Sequence, residues 1–232
     1  ALFTVDGDNP AFSATGGILY NKYQTRLIHC PVSLSGDLAL PATIASIGNW
    51  AFYRCTLLAS VALPGTLKSI GEYAFWGCTA LKTIGLPKDL QSLGMYAFYD
   101  CSGLETVYSY GLEPLLLEEY SYVFFGVDHA TAILYVPFGS AAAYQSALQW
   151  QEFEHIVEME GLFFSPGTES FAACGGSREI LVSSGVAWTA ASSAPWLSLQ
   201  PASAGPGKRV LLLTAASNGT AALRTATVTL SA

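Results

Sequence analysis

Three consecutive stretches decide the fold of this chain: LPATIASIGNWAFYRCTLLASVA (residues 40–62), LPGTLKSIGEYAFWGCTALKTIG (63–85) and LPKDLQSLGMYAFYDCSGLETVY (86–108). They align without gaps, so one 23-residue unit occurs three times in succession. A unit of this length forms one coil of a solenoid, because equivalent apolar residues of neighbouring coils stack into rows that make a continuous core. The stretches therefore predict a solenoid of stacked coils that presents an extended surface.

Each unit contains a strand pattern followed by a second apolar pattern. In LKTIGLP, alternation predicts that Ile84 and Leu86 point inward and that Thr83 and Gly85 point outward. Proline then ends the strand, where a missing N–H is least costly. The following G-x-x-A-F-x-x-C-x-x-L segment has apolar spacings of 1, 3 and 3, which favour one or two short helical turns.

The repeated phenylalanine and cysteine positions are predicted to lie in the core. Cysteines at one position of neighbouring coils would be about 5 Å apart, so a disulfide or a metal site is a second interpretation. Cysteine is also a small, commonly buried hydrophobe, and buried thiols that fill one niche per coil are the simpler interpretation. The two rows are Phe52, Phe75, Phe98 and Cys55, Cys78, Cys101.

The repeat closely resembles the BspA-like leucine-rich repeat family, whose units read roughly L-x-x-I-x-I-P-x-x-V-x-x-I-G-x-x-A-F-x-x-C. Residues 3–31 resemble an insertion-type repeat of that family, with V-D-G-D-N-P before G-I-L-Y-N-K. Residues 134–159 resemble its closing segment, with V-P-F-G before an amphipathic helix, and residues 109–133 form a degenerate repeat. The resemblance implies a solenoid domain over residues 1–160.

Composition changes after residue 160, where Ser, Thr, Ala and Gly become dominant. Runs at 179–182 and 225–230 are predicted strands, and turn signals separate them, which is typical of a small β-sandwich. The segments VAWTA, PWLSL and RTATV resemble the BACON domain. That resemblance implies an all-β immunoglobulin-like domain over residues 161–232, of a kind common in surface proteins of Bacteroidetes and proposed to bind carbohydrate or mucin.

Charge and hydropathy narrow the possible partners. The net charge is −7, and Lys and Arg form no cluster, so binding to nucleic acid or to anionic lipid is disfavoured. The longest apolar runs fall far below the roughly 20 residues of a spanning helix, so no membrane insertion is expected. The chain opens on ALFTV, which suggests an exported extracellular or cell-surface protein whose leader has been removed.

Catalytic signatures do not occur in the sequence. His29, His129 and His155 are isolated from any nucleophile pattern, and no metalloprotease or phosphate-binding motif occurs. The pairs Glu118/Glu119 and Glu152/Glu154 are the only resemblance to the paired carboxylates of glycosidases, and an acidic surface explains them more simply. The sequence therefore predicts a protein that is not an enzyme and has no metal and no cofactor.

Two further aromatic rows are the candidate ligand-binding residues. They lie out of phase with the phenylalanine row, so at least one row is expected to be partly exposed, and flat aromatic rings stack well on sugars. The alternative is that they only support neighbouring coils. Tyr108 and Thr106, outward on a predicted strand, are secondary candidates, as is Trp196, whereas Trp188 is expected in a core. The two rows are Trp50, Tyr73, Tyr96 and Tyr53, Trp76, Tyr99.

These patterns lead to one main functional hypothesis and one alternative, while a third, an enzyme, requires a pocket with converging carboxylates or histidines. The main hypothesis is a surface protein that binds glycans or host or bacterial surface glycoproteins through an extended face. The alternative is a protein–protein adhesin in which the β-sandwich is a spacer, and a contiguous apolar patch on the solenoid would favour it. The sequence leaves the oligomeric state open.

Overall fold

The computed structural model describes residues 2–165, 167, 169–220 and 222–232. The chain divides into two compact units. Unit 1 consists of Ala1–Val136 and Ala142–Val157, and unit 2 consists of Pro137–Ala141 and Glu158–Ala232. The domain boundary after residue 160, which composition and family resemblance predict, stays a prediction.

Unit 1 is a β-solenoid of about six turns. Its first sheet begins with an antiparallel meander in the N-terminal segment and continues as parallel two-residue strands, one from each coil. In sheet order its strands are β1 (Phe12–Thr15), β2 (Ile18–Asn21), β3 (Arg26–His29), β5 (Ser46–Ile47), β7 (Ser69–Ile70) and β9 (Ser92–Leu93).

The second sheet contains the longer strand of each coil. Thr83 pairs in parallel with Thr106, 23 residues further along, so the sequence period sets the strand register. In sheet order the strands are β12 (His155–Met159), β11 (Ile133–Pro137), β10 (Thr106–Ser109), β8 (Thr83–Leu86), β6 (Leu58–Ala62) and β4 (Gly36–Ala39).

The core of unit 1 consists of the predicted rows. Ile84 and Leu86 are buried while Thr83 and Gly85 are partly exposed, which confirms the predicted alternation of the strand. The phenylalanine row is fully buried and continues to Phe124, with successive ring centroids 4.6, 5.0 and 5.7 Å apart and nearly parallel planes. Cys55, Cys78 and Cys101 are also fully buried.

The predicted helical turns within the repeats are wrong. The only helices among the described residues are α1 (Ala141–Ser146) and a 3-10 helix at Trp150–Glu152. In the repeats, the segment around the phenylalanine forms successive turns instead. Left-handed backbone at Trp50 and Arg54 (φ 60° and 55°) interrupts any helix, and Tyr73 and Gly77 repeat the same pattern in the next coil.

This alternation of φ directs the backbone N–H groups toward the neighbouring coil. The N–H groups of Trp50, Phe52 and Arg54 donate to carbonyls of the next coil at 2.9, 2.7 and 2.7 Å. A helix would use the same donors within one coil. Because hydrogen bonds between coils repeat with every unit, they favour successive turns over the helix that the local 3.6-residue pattern predicts. A left-handed φ at a bulky aromatic residue is unfavourable by itself, and stacking of the Trp50 and Tyr73 rings, 4.0 Å apart, offsets part of that cost.

The degenerate repeat is held in the solenoid by the C-terminal segment of unit 1. The buried Gln149 side chain donates to the Glu118 carbonyl (2.6 Å) and to Ser121 Oγ (2.7 Å), and accepts from the Val123 N–H (2.8 Å). The Trp150 indole N–H donates to the Leu115 carbonyl at 2.9 Å. These bonds replace the regular contacts that the irregular sequence of this coil lacks.

Unit 2 consists of two antiparallel sheets. The four-stranded sheet has the order β13 (Leu162–Ser165), β14 (Gly176–Ser184), β18 (Gly207–Ala215) and β16 (Leu197–Gln200). The three-stranded sheet has the order β17 (Ser203–Ala204), β15 (Trp188–Ser192) and β19 (Val228–Ser231).

The core of unit 2 forms around Trp188, which is buried as expected, together with Val182 and Leu211. The run at 179–182 lies within β14, as its β-branched and apolar residues predict. The run at 225–230 is only half correct, because β19 begins at Val228. An all-β unit is therefore observed, while its relation to the immunoglobulin fold stays a proposal.

Candidate binding face of the solenoid

Trp50, Tyr73 and Tyr96 stack directly on one another along the solenoid. Their ring centroids are 4.0 Å apart for the first pair and 4.8 Å apart for the second, with interplanar angles of 5° and 23°. Tyr122 of the degenerate coil continues the column at 5.9 Å and 14°. The 23-residue period places one ring per coil at the same height, so that each ring supports the next.

The second predicted row forms a parallel column with a less regular geometry. Trp76 lies 4.7 Å from Tyr53 and 6.0 Å from Tyr99, with its plane tilted by 40° and 60° from theirs. The guanidinium of Arg54 is 6.0 Å from the Trp76 ring, at the outer limit of a cation–π contact. Phe125 extends this column beyond Tyr99 at 5.0 Å.

Edge contacts within each coil join the two columns into one surface. The paired centroids are 5.0 Å apart for Trp50–Tyr53, 5.5 Å for Tyr96–Tyr99, 6.2 Å for Tyr73–Trp76 and 6.1 Å for Tyr122–Phe125. The structure thus brings all six predicted residues together. We call the resulting surface the aromatic face, made of Trp50, Tyr53, Tyr73, Trp76, Tyr96, Tyr99, Tyr122 and Phe125.

The stacking decides which parts of the aromatic face can touch a ligand. Trp50 is 43% exposed, and the other five predicted residues are partly buried. Trp50 and Tyr96 cover the two faces of the Tyr73 ring, so a flat ligand meets its edge and its hydroxyl. Among the described residues, Trp50 begins its column. No second aromatic ring of the described chain stacks on Trp50, so its exposed surface is the part of this column that a partner can reach.

The tyrosine hydroxyls of the aromatic face are available to a partner. Those of Tyr53, Tyr73, Tyr96 and Tyr99 make no hydrogen bond to the part of the chain that the structure describes. A hydroxyl both donates and accepts, so it suits a ligand rich in hydroxyl or amide groups. The aromatic face therefore combines one open indole ring with several polar contact points.

Sequence reasoning missed Tyr122 and Phe125, together with the neighbouring Tyr120, whose ring lies 6.4 Å from that of Tyr122. The signal is present in YVFFGV (residues 122–127), which aligns with YAFYDC (residues 96–101) at an offset of 26 rather than 23. A three-residue insertion hides this alignment. Hydrogen bonds from Tyr96 and Phe98 to this coil, at 2.7 and 2.9 Å, show that the stacking continues through it.

The cysteine row is part of the core, as predicted, and its thiols are free. Sγ of Cys78 donates to the Phe52 carbonyl and Sγ of Cys101 to the Phe75 carbonyl, each at 3.1 Å. The hydrogen bond with Cys101 and burial both raise the pKa of Cys78. A protonated, buried thiol is a poor nucleophile and a poor metal ligand.

Clusters of three or more His, Cys, Asp or Glu that could hold a metal do not occur in the described residues. Glu152 Oε2 is 3.8 Å from Nε2 of His129, which is too long for a hydrogen bond. No described helix is both long enough and apolar enough to span a membrane.

His129 gives the stability of unit 1 a pH dependence. Burial lowers its pKa below the ordinary value of about 6.5, although Glu152 and Asp128 act in the opposite direction. A lowered folded pKa means that the unfolded chain binds the proton more tightly. We expect neutral His129 to make its full contribution to the free energy of unfolding above pH 6.5. This contribution should decrease as the pH falls toward the pKa of His129 in the folded chain.

The measurement is urea unfolding of the native protein and of His129→Gln between pH 5 and 7.5. His129→Gln should flatten the decline below pH 6.5, whereas His155→Gln, at an exposed position, should keep it. Equal slopes for all three proteins would contradict the assignment.

In unit 2, the candidate Trp196 is partly buried, and the guanidinium of Arg224 lies 4.2 Å from its ring. Arg224 also donates to the Ala216 carbonyl, so one face of this indole is already occupied. Both residues line a cleft of about 730 Å³ whose apolar lining includes Phe164, Phe171 and Leu230. Trp196 is therefore a weaker candidate platform than Trp50.

The coils, their strand register and their buried rows are consistent with a solenoid of the leucine-rich repeat type. Residues 32–129 match the family model described as the BspA type leucine rich repeat region, in six copies. Residues 161–232 match the model described as the viral BACON domain. The two-part resemblance found in the sequence is thus confirmed, and both matched families are non-enzymatic repeat or binding domains.

Three solved structures are similar to parts of the chain. A leucine-rich repeat protein from Eubacterium ventriosum is 24% identical over 58% of this chain and 36% of its own, with a TM-score of 0.48. The pneumococcal vaccine antigen PcpA is 17% identical over 68% and 50%, with a TM-score of 0.43. A leucine rich cell surface protein from Faecalibacterium prausnitzii is 19% identical over 66% and 41%, with a TM-score of 0.37.

The chain spans half or less of the length of each of these structures. No curated protein matches it.

Proposed function

We propose that this is an exported cell-surface protein that binds glycans or glycoproteins through the aromatic face of its solenoid. The observation that carries the proposal is the open ring of Trp50 beside tyrosine hydroxyls that have no partner in the described chain. The net charge of −7 favours neutral or cationic partners over anionic ones. The repeat and BACON matches support a binding or adhesive role.

The stacking of the rings determines which part of each aromatic residue could contact a sugar. A sugar ring would stack on Trp50 at the end of the column, while the inner tyrosines would contribute hydroxyls and ring edges. The two matched segments suggest separate roles. Residues 1–160 would contact the ligand, and residues 161–232 would form a second, immunoglobulin-like module. Affinity per site would be modest, and several coils would add contacts over an extended surface.

Removing the open ring should weaken glycan binding. We expect Trp50→Asn to lower affinity for a glycan that the native protein binds by about tenfold or more, because an aromatic contact at the centre of a site typically contributes that much. Asparagine is chosen since it tolerates the left-handed backbone at this position. The measurement is a glycan array, followed by calorimetric titration of the strongest ligand.

Tyr23→Ala is the matched control, because Tyr23 is 81% exposed but lies outside the aromatic face. It should bind like the native protein. An array on which the native protein shows no signal would overturn glycan binding, and undiminished binding by Trp50→Asn would remove Trp50 from the site.

A protein partner is the second candidate function, and one observation favours it. At the other end of the aromatic face, Tyr122 contacts both Tyr120 and Phe125, and all three are exposed. Leu116, in the same coil, is almost completely exposed. Exposed apolar side chains grouped in this way are typical of protein-binding surfaces.

The two candidates differ in their response to deglycosylation. Binding to immobilised mucin that disappears after chemical deglycosylation supports a glycan ligand. Binding that survives deglycosylation but is lost in Phe125→Ser supports a protein partner at the apolar end of the aromatic face.

A further inference from the structure

We propose that the outer surface of the second sheet of unit 1 contains a separate site for a neutral saccharide, with Tyr110 as its stacking platform. This inference rests on the proposed glycan-binding function but uses different residues. None of the residues that define the aromatic face takes part in it.

Strand alternation gives the outer surface of this sheet two rows of side chains. One row is polar and runs through Asp37, Ser60, Thr83 and Thr106, which face one another in register across β4, β6, β8 and β10. The other row changes from small to aromatic residues along the sheet. It consists of Ala39, Ala62, Gly85, Tyr108 and Tyr135.

Tyr110 lies at the point where the second row changes from small residues to tyrosines. Its ring is nearly parallel to that of Tyr108, at 10° and 6.2 Å, and Tyr108 stacks in turn on Tyr135 at 4.9 Å. The Tyr110 ring covers Gly85, because a Cβ built on Gly85 would lie only 3.3 Å from Tyr110 Cε2. The absence of a side chain at Gly85 thus positions the ring over the sheet.

The Tyr110 ring keeps an accessible surface. It is 40% exposed, and within the described chain its only stacking neighbour is Tyr108. In the coils beyond Gly85 the row contains only Ala62 and Ala39, both exposed and without atoms beyond Cβ. A ligand can therefore lie on the surface formed by Gly85, Ala62 and Ala39, with one face or edge against the Tyr110 ring.

The polar row supplies the hydrogen-bonding groups for such a ligand. Strands in this sheet are about 4.8 Å apart, and Thr83 lies two residues, or about 7 Å, from Gly85. Ser60 Oγ donates to Asp37 Oδ1 at 2.6 Å, which orients the Asp37 carboxylate along the row. The hydroxyls of Thr83 and Thr106 make no hydrogen bond to the described part of the chain, so both are available.

The sheet favours a saccharide over a peptide. Strands β6, β8 and β10 each pair with a neighbour on both sides, so their backbone groups cannot accept an added peptide strand. A ligand must use side-chain hydroxyls and an aromatic ring. Beside the row, Lys82 and Glu105 pair with each other, so the Asp37 carboxylate at the β4 end is the charge that remains in it. Hydroxyl groups next to a flat apolar ring face are the features of a pyranose sugar that suit this surface.

The test is calorimetric titration of the whole chain with three neutral linear oligosaccharides: cellohexaose, maltohexaose and chitohexaose. The native protein should bind at least one of them at submillimolar concentration. Tyr110→Ala should lower the affinity tenfold or more, and Thr83→Ala should lower it severalfold.

Gly85→Val is a second route to the same result, because it fills the space under the ring with a residue that suits a strand. It should displace Tyr110 and weaken binding as strongly as Tyr110→Ala. Gly65→Ala, at a position where an added Cβ meets nothing within 4 Å, is the matched control and should bind normally. Far-ultraviolet circular dichroism and the melting temperature of each variant establish that it is folded.

The outcomes separate this site from the aromatic face. Loss of binding in Tyr110→Ala and Gly85→Val, with Gly65→Ala unchanged, supports the sheet site. Normal binding by folded Tyr110→Ala and Gly85→Val overturns it, and if Trp50→Asn alone loses binding, the aromatic face is the glycan site. The absence of binding by the native protein to all three oligosaccharides also overturns the sheet site, whereas a positive glycan array would still uphold the proposed function.

Discussion

Replacing Phe75 with alanine is expected to lower the free energy of unfolding of unit 1 by about 3–5 kcal/mol. Phe75 is completely buried between Phe52 and Phe98, with ring centroids 4.6 and 5.0 Å away. Truncation removes the transfer free energy of the ring and leaves a cavity in the middle of the row. Because the coils on both sides are held in register by backbone hydrogen bonds, they can collapse into that cavity only in part.

Chemical denaturation followed by circular dichroism measures this change, and Tyr23→Ala is the control. Tyr23 is an aromatic residue of unit 1 with most of its surface in solvent, so its removal should change stability by less than about 0.5 kcal/mol. A loss below about 1 kcal/mol in Phe75→Ala would contradict the continuous core. It would mean that each coil is stabilised independently of its neighbours.

The second large effect is expected at Gly94, where alanine should destabilise unit 1 by about 3 kcal/mol, the upper end of the range for overpacking. A Cβ on Gly94 would lie 2.4 Å from the backbone nitrogen of Glu72, a contact that no side-chain movement can relieve. At the equivalent Gly71, an added Cβ would lie 2.6 Å from the backbone nitrogen of Asn49. Relief requires separation of two coils, which would break the 2.8 Å hydrogen bond from the Gly94 N–H to the Ile70 carbonyl.

Gly65→Ala controls for the intrinsic effect of replacing glycine, since nothing lies within 4 Å of an added Cβ there. This variant should be neutral or slightly more stable, because alanine restricts the unfolded chain. Both variants are compared by their urea midpoints at an unchanged slope. If Gly94→Ala were as stable as Gly65→Ala, close approach of the coils would not be the reason for the repeated glycine.

Much of the solenoid can be predicted from sequence because its contacts repeat with the period of the chain. Identical spacing brings Phe52 against Phe75 and Cys55 near Cys78, so one alignment identifies the core without any three-dimensional information. The strand at Thr83–Leu86 is predicted correctly for a related reason. Its two-residue alternation is a local property, and the neighbouring coils reinforce it.

The error in the helical turns has the opposite cause. The spacing of Ala74, Phe75 and Cys78 is compatible with a helix and equally compatible with a string of turns, since both place these residues on one side. The left-handed φ of Tyr73 and Gly77 decides between them. That choice depends on hydrogen bonds to the next coil, which no window of sequence contains.

The candidate site, like the fold, can be predicted from the sequence only in part. Sequence periodicity predicts that Trp50, Tyr73 and Tyr96 lie in one row, and the structure brings them together as stacked rings. Periodicity does not show that stacking covers the ring faces of the inner residues, whereas Trp50 stays 43% exposed. Nor does it include Tyr122, which joins the column only after a three-residue insertion.

The amino-acid sequence by itself determined the repeat, its core rows and the two-part organisation of the chain, because those properties follow from residue spacing and composition. The tertiary structure decided which surfaces are available to a partner. Ring faces, hydroxyls and the space above Gly85 become accessible or covered only when neighbouring coils come into contact. Contacts between coils therefore control both the backbone conformation at Trp50 and Tyr73 and the accessibility of their side chains.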